Sequence, residues 1–337
     1  MKKVSDIGEF DLIARIESIL PKELPSDILI GPGDDTAVVL PDMDIVQLLT
    51  TDMQVENRHF KLEWIRPYSL GKRVISVNLS DIAAMGGNPA YALVSLCLPD
   101  HLTVEFFDQL IKGMRDQMSA HDAHIVGGNL SGGSDKLIVD ITMIGTAQLG
   151  QTITRSSSKP GDRIFVTGSL GGGFGGFKVL EKFGLLYPDN FAPLVESYIK
   201  PIPRVSVGRE LARSGIATSM IDLSDGLSGD LRHITDMSQV GAEIHLSKLP
   251  VHPALNNLAA LTSSLPYEMA LHGGDGYELL FTTSSDVSDD DIRELNARVD
   301  VKVTEIGRIT DKENGLWLIG EEEERIALEG KGWDHFG

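Results

Sequence analysis

The chain has 337 residues, 42% of them apolar and 23% charged, with a formal net charge of −19; this is an ordinary globular composition, too long for one ordinary core, so two domains are expected. The acidic excess, with no Lys/Arg cluster to offset it, disfavours nucleic acid and anionic membranes as partners, and a phosphorylated ligand needs cations to screen it. A single cysteine, Cys97, lies in an apolar run, which excludes a disulfide framework or thiolate zinc site and reads as a buried core thiol.

Lys2 and Lys3 open the chain, but Asp6, Glu9 and Asp11 occupy the place of a signal peptide's apolar stretch, and no apolar run approaches membrane-spanning length, so a cytoplasmic protein is expected. Leu12, Ile13, Ile16, Ile19 and Leu20 recur at helical spacing and stop at Pro21, predicting a short amphipathic helix. Strands are predicted near 45–50, 90–98 and 137–147. Between the last two, Phe106, Phe107, Leu110, Ile111, Met114 and Met118 share one face of a helix over 104–120. The polar, breaker-rich stretch 151–162 places a boundary between a domain over 1–150 and another over 151–337. A fresh strand at 163–167 then opens a second α/β series. The run Glu321-Glu322-Glu323-Glu324 reads as a solvated turn between the last strands.

Gly171-Gly172-Gly173-Phe174-Gly175-Gly176 fits the spacing of a dinucleotide fingerprint, but the second strand ending in an acid, which that fold needs, is missing. Lys178 lies between Phe177 and Val179, so there is no Walker loop either. The stretch reads as a flexible interdomain turn.

Three β-prone runs break into a hydroxyl beside a carboxylate: Leu48-Leu49-Thr50-Thr51-Asp52, Val77-Asn78-Leu79-Ser80-Asp81 and Ile221-Asp222-Leu223-Ser224-Asp225. A fourth acidic cluster, Gly31-Pro32-Gly33-Asp34-Asp35, sits in a glycine turn. Strands that end in Asp deliver carboxylates to a sheet edge, where several can meet at one cleft. Meeting carboxylates repel unless a cation joins them, and an oxygen-only set suits a hard ion such as Mg²⁺, the ion that bridges phosphates. Each Asp has a simpler reading as a helix N-cap, as for Asp81 before Ile82 and Asp225 before Gly226-Leu227. Four such sites in one chain favour a shared metal site and metal-assisted phosphate chemistry.

The motifs Gly33-Asp34-Asp35, Thr51-Asp52 with His59-Phe60, Asn78 through Gly86, Thr154-Arg155-Ser156, Lys159-Pro160-Gly161-Asp162, Ile221 through Gly226 and Gly332-Trp333-Asp334-His335-Phe336 run in order along the whole chain. With them the chain resembles the thiamine-monophosphate kinase family, of the aminoimidazole ribonucleotide synthetase-like superfamily. The resemblance implies an N-terminal α+β domain that pairs with its copy into a β-barrel across a homodimer, and a C-terminal α/β domain covering the cleft. It also implies transfer of a phosphoryl group from ATP to thiamine monophosphate with Mg²⁺. Because that acceptor is already an ionised phosphate and needs no strong base, direct in-line transfer without a covalent nucleophile is expected.

Carried over by position, Asp35, Thr50, Thr51, Asp52, Asp81, Asp222 and Asp225 fall at metal-binding places, Gly128, Arg155 and Ser224 at ATP contacts, and His59 and Trp333 at contacts to the thiamine ligand. Two departures stand out. Gly127-Gly128-Asn129-Leu130 replaces the family's Gly-Gly-Asp-Thr, leaving Asn129 as a neutral metal ligand. Gly273-Gly274-Asp275-Gly276-Tyr277-Glu278-Leu279 replaces Gly-Gly-Glu-Asp-Tyr-Glu-Leu, leaving the shorter Asp275 at the substrate. Two alternatives remain open: another ATP-dependent small-molecule enzyme of the superfamily, or a nucleotide-binding relative without catalysis.

Overall fold

The computed structural model describes residues 28–30, 34–41, 44–262 and 264–328. The expected opening helix and the terminal motif with Trp333 lie outside the described residues.

A first sheet contains β1 (Ile28–Ile30), β2 (Ala37–Val39), β3 (Ile45–Val55), β4 (Asn88–Cys97), β5 (His124–Ser131) and β6 (Ile138–Gln148), in the order β1-β2-β3-β6-β4-β5. Only β4 and β5 run parallel; the other neighbours are antiparallel. The expected strands thus form, as does the helix over 104–120, here α2 (Val104–Ser119) after α1 (Pro67–Ala84). Alternation along β3 and β6 buries Val46, Leu48, Val139, Ile141 and Met143 on the face that packs against α1. Cys97 closes β4 and is only half-buried, its thiol facing the Gly132 carbonyl at 3.7 Å, so it is a strand-end thiol rather than a core one.

The largest departure from the sequence-based expectation is α1. The run Val77 to Asp81 is not a strand end but the C-terminal half of this helix, so Asp81, in its last turn, cannot be an N-cap. Pro67 at the first turn, after an extended Arg66, starts the helix. Its apolar residues face every direction because the first sheet packs on one side and the second half of the chain on the other. With no single stripe, a short window of it looks like a buried strand. Arg73, Ser76, Asn78 and Ser80 are also buried along it.

The second half forms a seven-stranded sheet from β7 (Arg163–Thr167), β8 (Ala217–Asp222), β9 (Gly241–His245), β10 (Leu279–Thr283), β11 (Val303–Thr310), β12 (Leu316–Ile319) and β13 (Arg325–Ala327), in the order β13-β12-β9-β11-β7-β10-β8. It too is mixed, with β12 and β9 parallel. Its main helices are α3 (Gly172–Phe183), α4 (Ala192–Ile199), α5 (Val205–Ser214) and α6 (Leu227–Ser238). The molecule is therefore a mixed α/β, two-domain fold, and neither sheet closes into a barrel among the described residues. Residues 149–162 connect the sheets without helix or strand, yet Ile153, Ser158 and Asp162 are buried. Glu321 to Glu324 form the exposed turn between β12 and β13, as expected. Among the described residues no helix is long and apolar enough to cross a membrane.

The glycine stretch is not a flexible turn; most of it lies inside α3. A Cβ at Gly173 would stand 1.9 Å from the Asp275 carbonyl oxygen, and one at Gly176 2.1 Å from that of Leu194. These glycines let two backbones approach more closely than any side chain allows. Gly173→Ala is expected to cost about 2–3 kcal/mol by overpacking against backbone. Urea denaturation checks it, and an unchanged midpoint would show that the 275 loop yields freely.

Candidate active site

Four chain segments deliver carboxylates to one place. The 34–35 turn brings Asp34 and Asp35, β3 brings Asp52, the last turn of α1 brings Asp81, and the end of β8 brings Asp222. Single carboxylate oxygens of Asp35, Asp81 and Asp222 all lie within 4.8 Å of one another. The hydroxyls beside the acids take part: Thr50 donates to Asp81 Oδ2 at 2.5 Å, and Ser80 donates to Asp222 Oδ2 at 2.6 Å. Arg155 holds Asp35 with a bidentate pair, Nε to Oδ2 at 3.0 Å and Nη2 to Oδ1 at 2.9 Å. Its backbone N–H donates to Asp34 Oδ2 at 3.2 Å.

One arginine does not neutralise so many acids. Burial, then the charge of Asp35, pushes the Asp222 carboxyl up to about 8. Burial, then the charges of Asp52, Asp222 and Asp35, holds Asp81 well above the usual carboxylate range. Asp52 rises to about 6 through burial and then Asp140, and Asp34 to about 6 through burial and then Asp35. Acids under such mutual strain form a site that calls for added positive charge. All donors are oxygen, with neither imidazole nor thiolate, and this set fits a hard divalent cation such as Mg²⁺.

Beside the acids opens a cleft of about 370 Å³, lined by Asp52, His59, Ser224, Asp225 and Asp275 among the sequence-predicted residues. His59 is fixed by its Nδ1, which accepts the Val55 N–H at 2.8 Å. Asp225 is not the cap of α6; that position is Gly226. The 225–226 turn is instead held by buried Asp230, whose Oδ2 accepts both backbone N–H groups at 3.2 and 3.1 Å. Asp230 was visible in the sequence only as an acid five residues after Asp225. The cleft also has an aromatic wall, Phe174, Phe177 and Tyr277, and a histidine, His272, whose Nδ1 lies 2.7 Å from the Ser228 hydroxyl. The three aromatic residues were missed because such residues near glycines carry no chemical signature of their own, and His272 because a lone histidine is more often structural than catalytic.

Three predicted residues are not brought together with the acids. Thr51 points to the opposite face of the sheet from Thr50 and Asp52, where its hydroxyl donates to the Ile141 carbonyl at 3.0 Å. Gly128 and Asn129 lie exposed on β5, the edge strand. The register Met53 to Asp140 to Ser95 to Asn129 sets Asn129 three strands, or about 14 Å, from β3, on the face away from Asp52.

The family model described as AIR synthase related protein, N-terminal domain, matches residues 33–147, and that of the C-terminal domain matches residues 159–317. The thiamine-monophosphate kinase of Bacillus subtilis (strain 168) is 34% identical over 335 residues, covering 98% of this chain and 100% of that protein. That of Escherichia coli (strain K12) is 34% identical over 340 residues, covering 98% of each. The solved structure of AaThiL complexed with AMPPCP and TMP superposes with a TM-score of 0.84 at 31% identity, covering 99% of both chains. Matching in sequence from end to end, in both domains and in fold, the chain belongs to the thiamine-monophosphate kinase family.

Proposed function

We propose that this protein transfers the γ-phosphoryl group of ATP to thiamine monophosphate, giving ADP and thiamine diphosphate. The observation that carries the reading is the meeting of Asp35, Asp81 and Asp222 beside a cleft with an aromatic wall. The acids suit a cation-screened polyphosphate, and Phe174 and Phe177 suit a flat heterocycle. That AaThiL was solved with AMPPCP and TMP supports the same pairing of ligands.

The acceptor is an ionised phosphate, so no strong base is required, and the work of the site is to align two polyanions in line while neutralising their charge. Mg²⁺ bound by Asp35, Asp52, Asp81 and Asp222 would supply charge neutralisation at the transferring phosphoryl group. Thr50 and Ser80 hold two of these carboxylates in place by hydrogen bonds. Arg155, now paired with Asp35, offers a guanidinium to phosphate oxygens, with Ser224 at the nucleotide. Asp225 stands as a further metal ligand, while His59 and Asp275 line the substrate end. The test is direct: purified protein with Mg-ATP and thiamine monophosphate should form thiamine diphosphate. Stabilisation by ATP without that product would mark a non-catalytic relative, and preference for another phosphorylated substrate would mark another enzyme of the superfamily.

We place the division between domains at 150/151, the first carrying dimerisation, and propose that two copies associate through the open face of the first sheet. Ile45, Met53, Tyr91 and Leu93 project from that face with 40–56% of their surface exposed, and an apolar face of this kind calls for a partner. Closing two such sheets over one another would form the barrel. Sedimentation velocity should give a dimer, and Leu93→Lys should shift it to monomer; a monomeric wild type would remove this proposal.

The dimer also bears on Gly128 and Asn129, which within one chain stand apart from the acids and reach such a cluster only from a second copy. An Asn offers Mg²⁺ an oxygen but one fewer charge than Asp. Asn129→Asp is therefore expected to lower the Mg²⁺ concentration for half-maximal rate. An unchanged metal dependence would take Asn129 out of the site.

A further inference from the structure

Arg73 is the largest of the fully buried side chains among the described residues, 1% exposed. It rises from the middle of α1, in the first domain, and two of its nitrogens donate to the second. Nη2 donates to Asp275 Oδ1 at 2.6 Å, and Nη1 donates to the Tyr198 carbonyl. The guanidinium carbon lies 4.3 Å from the Tyr198 ring centroid, a cation–π contact out of water. The Tyr198 hydroxyl in turn donates to the His59 carbonyl at 3.0 Å.

Asp275 receives a second donor on the same oxygen, the Tyr277 hydroxyl at 3.0 Å. Both Asp275 and Tyr277 sit at positive φ, +61° and +51°, a conformation that non-glycine residues keep only when their surroundings hold them in it. Asp275, His59 and Tyr277 line the cleft, whereas Arg73 does not. Two donors on Oδ1 leave Oδ2 as the acceptor that the cleft can use.

We propose that Arg73 is a positioning residue for the thiamine moiety: with Tyr277 it fixes Asp275, and through Tyr198 it fixes the His59 wall, without touching substrate itself. This rests on the functional reading above, in which Asp275 lies at the substrate end. Thiamine monophosphate carries an amino group and a ring cation, and a carboxylate lining the cleft suits both. Asp81, Asp222 and Asp35 are held instead by Thr50, Ser80 and Arg155. The expected effect is therefore selective for one substrate.

The test is calorimetric binding of thiamine monophosphate, and separately of Mg-AMPPCP, to the full chain and to Arg73→Met, Arg73→Lys and Tyr277→Phe, alongside steady-state kinetics. Arg73→Met should weaken thiamine monophosphate binding by about tenfold or more, the loss of roughly one charge-assisted hydrogen bond, with nucleotide affinity changed by no more than about twofold. Arg73→Lys should recover part of the loss. Tyr277→Phe, which removes only a hydroxyl and keeps the buried ion pair, should weaken binding by about threefold and decides the matter if Arg73→Met fails to fold. Lower melting temperatures with unchanged thiamine monophosphate affinity, or equal weakening of both ligands, would reduce Arg73 to a structural residue. A wild type that binds no thiamine monophosphate would overturn the functional reading and this inference together.

Discussion

Asp81→Asn should lower turnover by roughly 10²–10³-fold while leaving the metal-free protein at least as stable as the wild type. Removing one electrostatic contact to a transition state costs about 10²–10³ in rate, and Asp81 is one of the carboxylates that meet at the proposed metal site. It sits in the last turn of α1, where the helix dipole disfavours an acid, beside Asp52, Asp222 and Asp35, whose charges all act against it. The Thr50 hydrogen bond favours a charge there, but burial and the three acids outweigh it. An amide of the same shape keeps the Thr50 contact and relieves the repulsion, so thermal melting with a chelator should show an unchanged or raised midpoint. Near-normal turnover would remove Asp81 from the site, and a large fall in midpoint would show that it supports the fold instead.

The same electrostatics makes the metal-free protein lose stability as pH rises. Asp222 is 4% exposed, and its carboxyl is held at about 8 against an ordinary 3.8; Asp34 and Asp52 lie near 6. A folded-state pKa above the unfolded one means that the native protein binds more protons between the two values, so stability falls with rising pH across that window. The contribution is fully present below about pH 4 and is lost as pH passes through about 6 for Asp34 and Asp52 and about 8 for Asp222. Allowing for relaxation around the cluster, the loss between about pH 5 and about pH 9 should be on the order of 3 kcal/mol. Saturating Mg²⁺ should remove most of this slope, because a bound cation favours the ionised carboxylates. Denaturation midpoints at several pH values, with chelator and with Mg²⁺, check both parts. A flat or rising profile in chelator would show that the acids are not forced together in solution.

The acidic site was legible because its chemistry is written in short words. A hydroxyl beside an acid, repeated at Thr50-Thr51-Asp52, Ser80-Asp81 and Ser224-Asp225, names the donor set before any fold is known, and Thr50 and Ser80 do donate to acids of the cluster. The strands β3, β4 and β6 and the helix α2 were legible because each buries one face and so carries a clean period. The helix α1 was not, because packing on both sides removed the period, and its Asp81 was read at a strand end. The glycines of α3 were misread for a related reason: a glycine that admits a neighbouring backbone and one that loosens a turn look alike in sequence. Asn129 shows the limit from the other side. Its residue type suits a metal, but its place on the edge strand β5 separates it from the acids of its own chain.

The amino-acid sequence by itself determined the family, the oxygen-only character of the site and most of the regular elements, since these depend on side-chain chemistry and on periodicities a few residues long. Tertiary packing alone decided which groups meet: Ser80 with Asp222 across 142 positions, and Arg73 with Asp275 across 202. Such pairings depend on how two sheets enclose α1. The free energy that fixes them comes from burying that helix on every side, a property of the assembled core that no local window of residues contains.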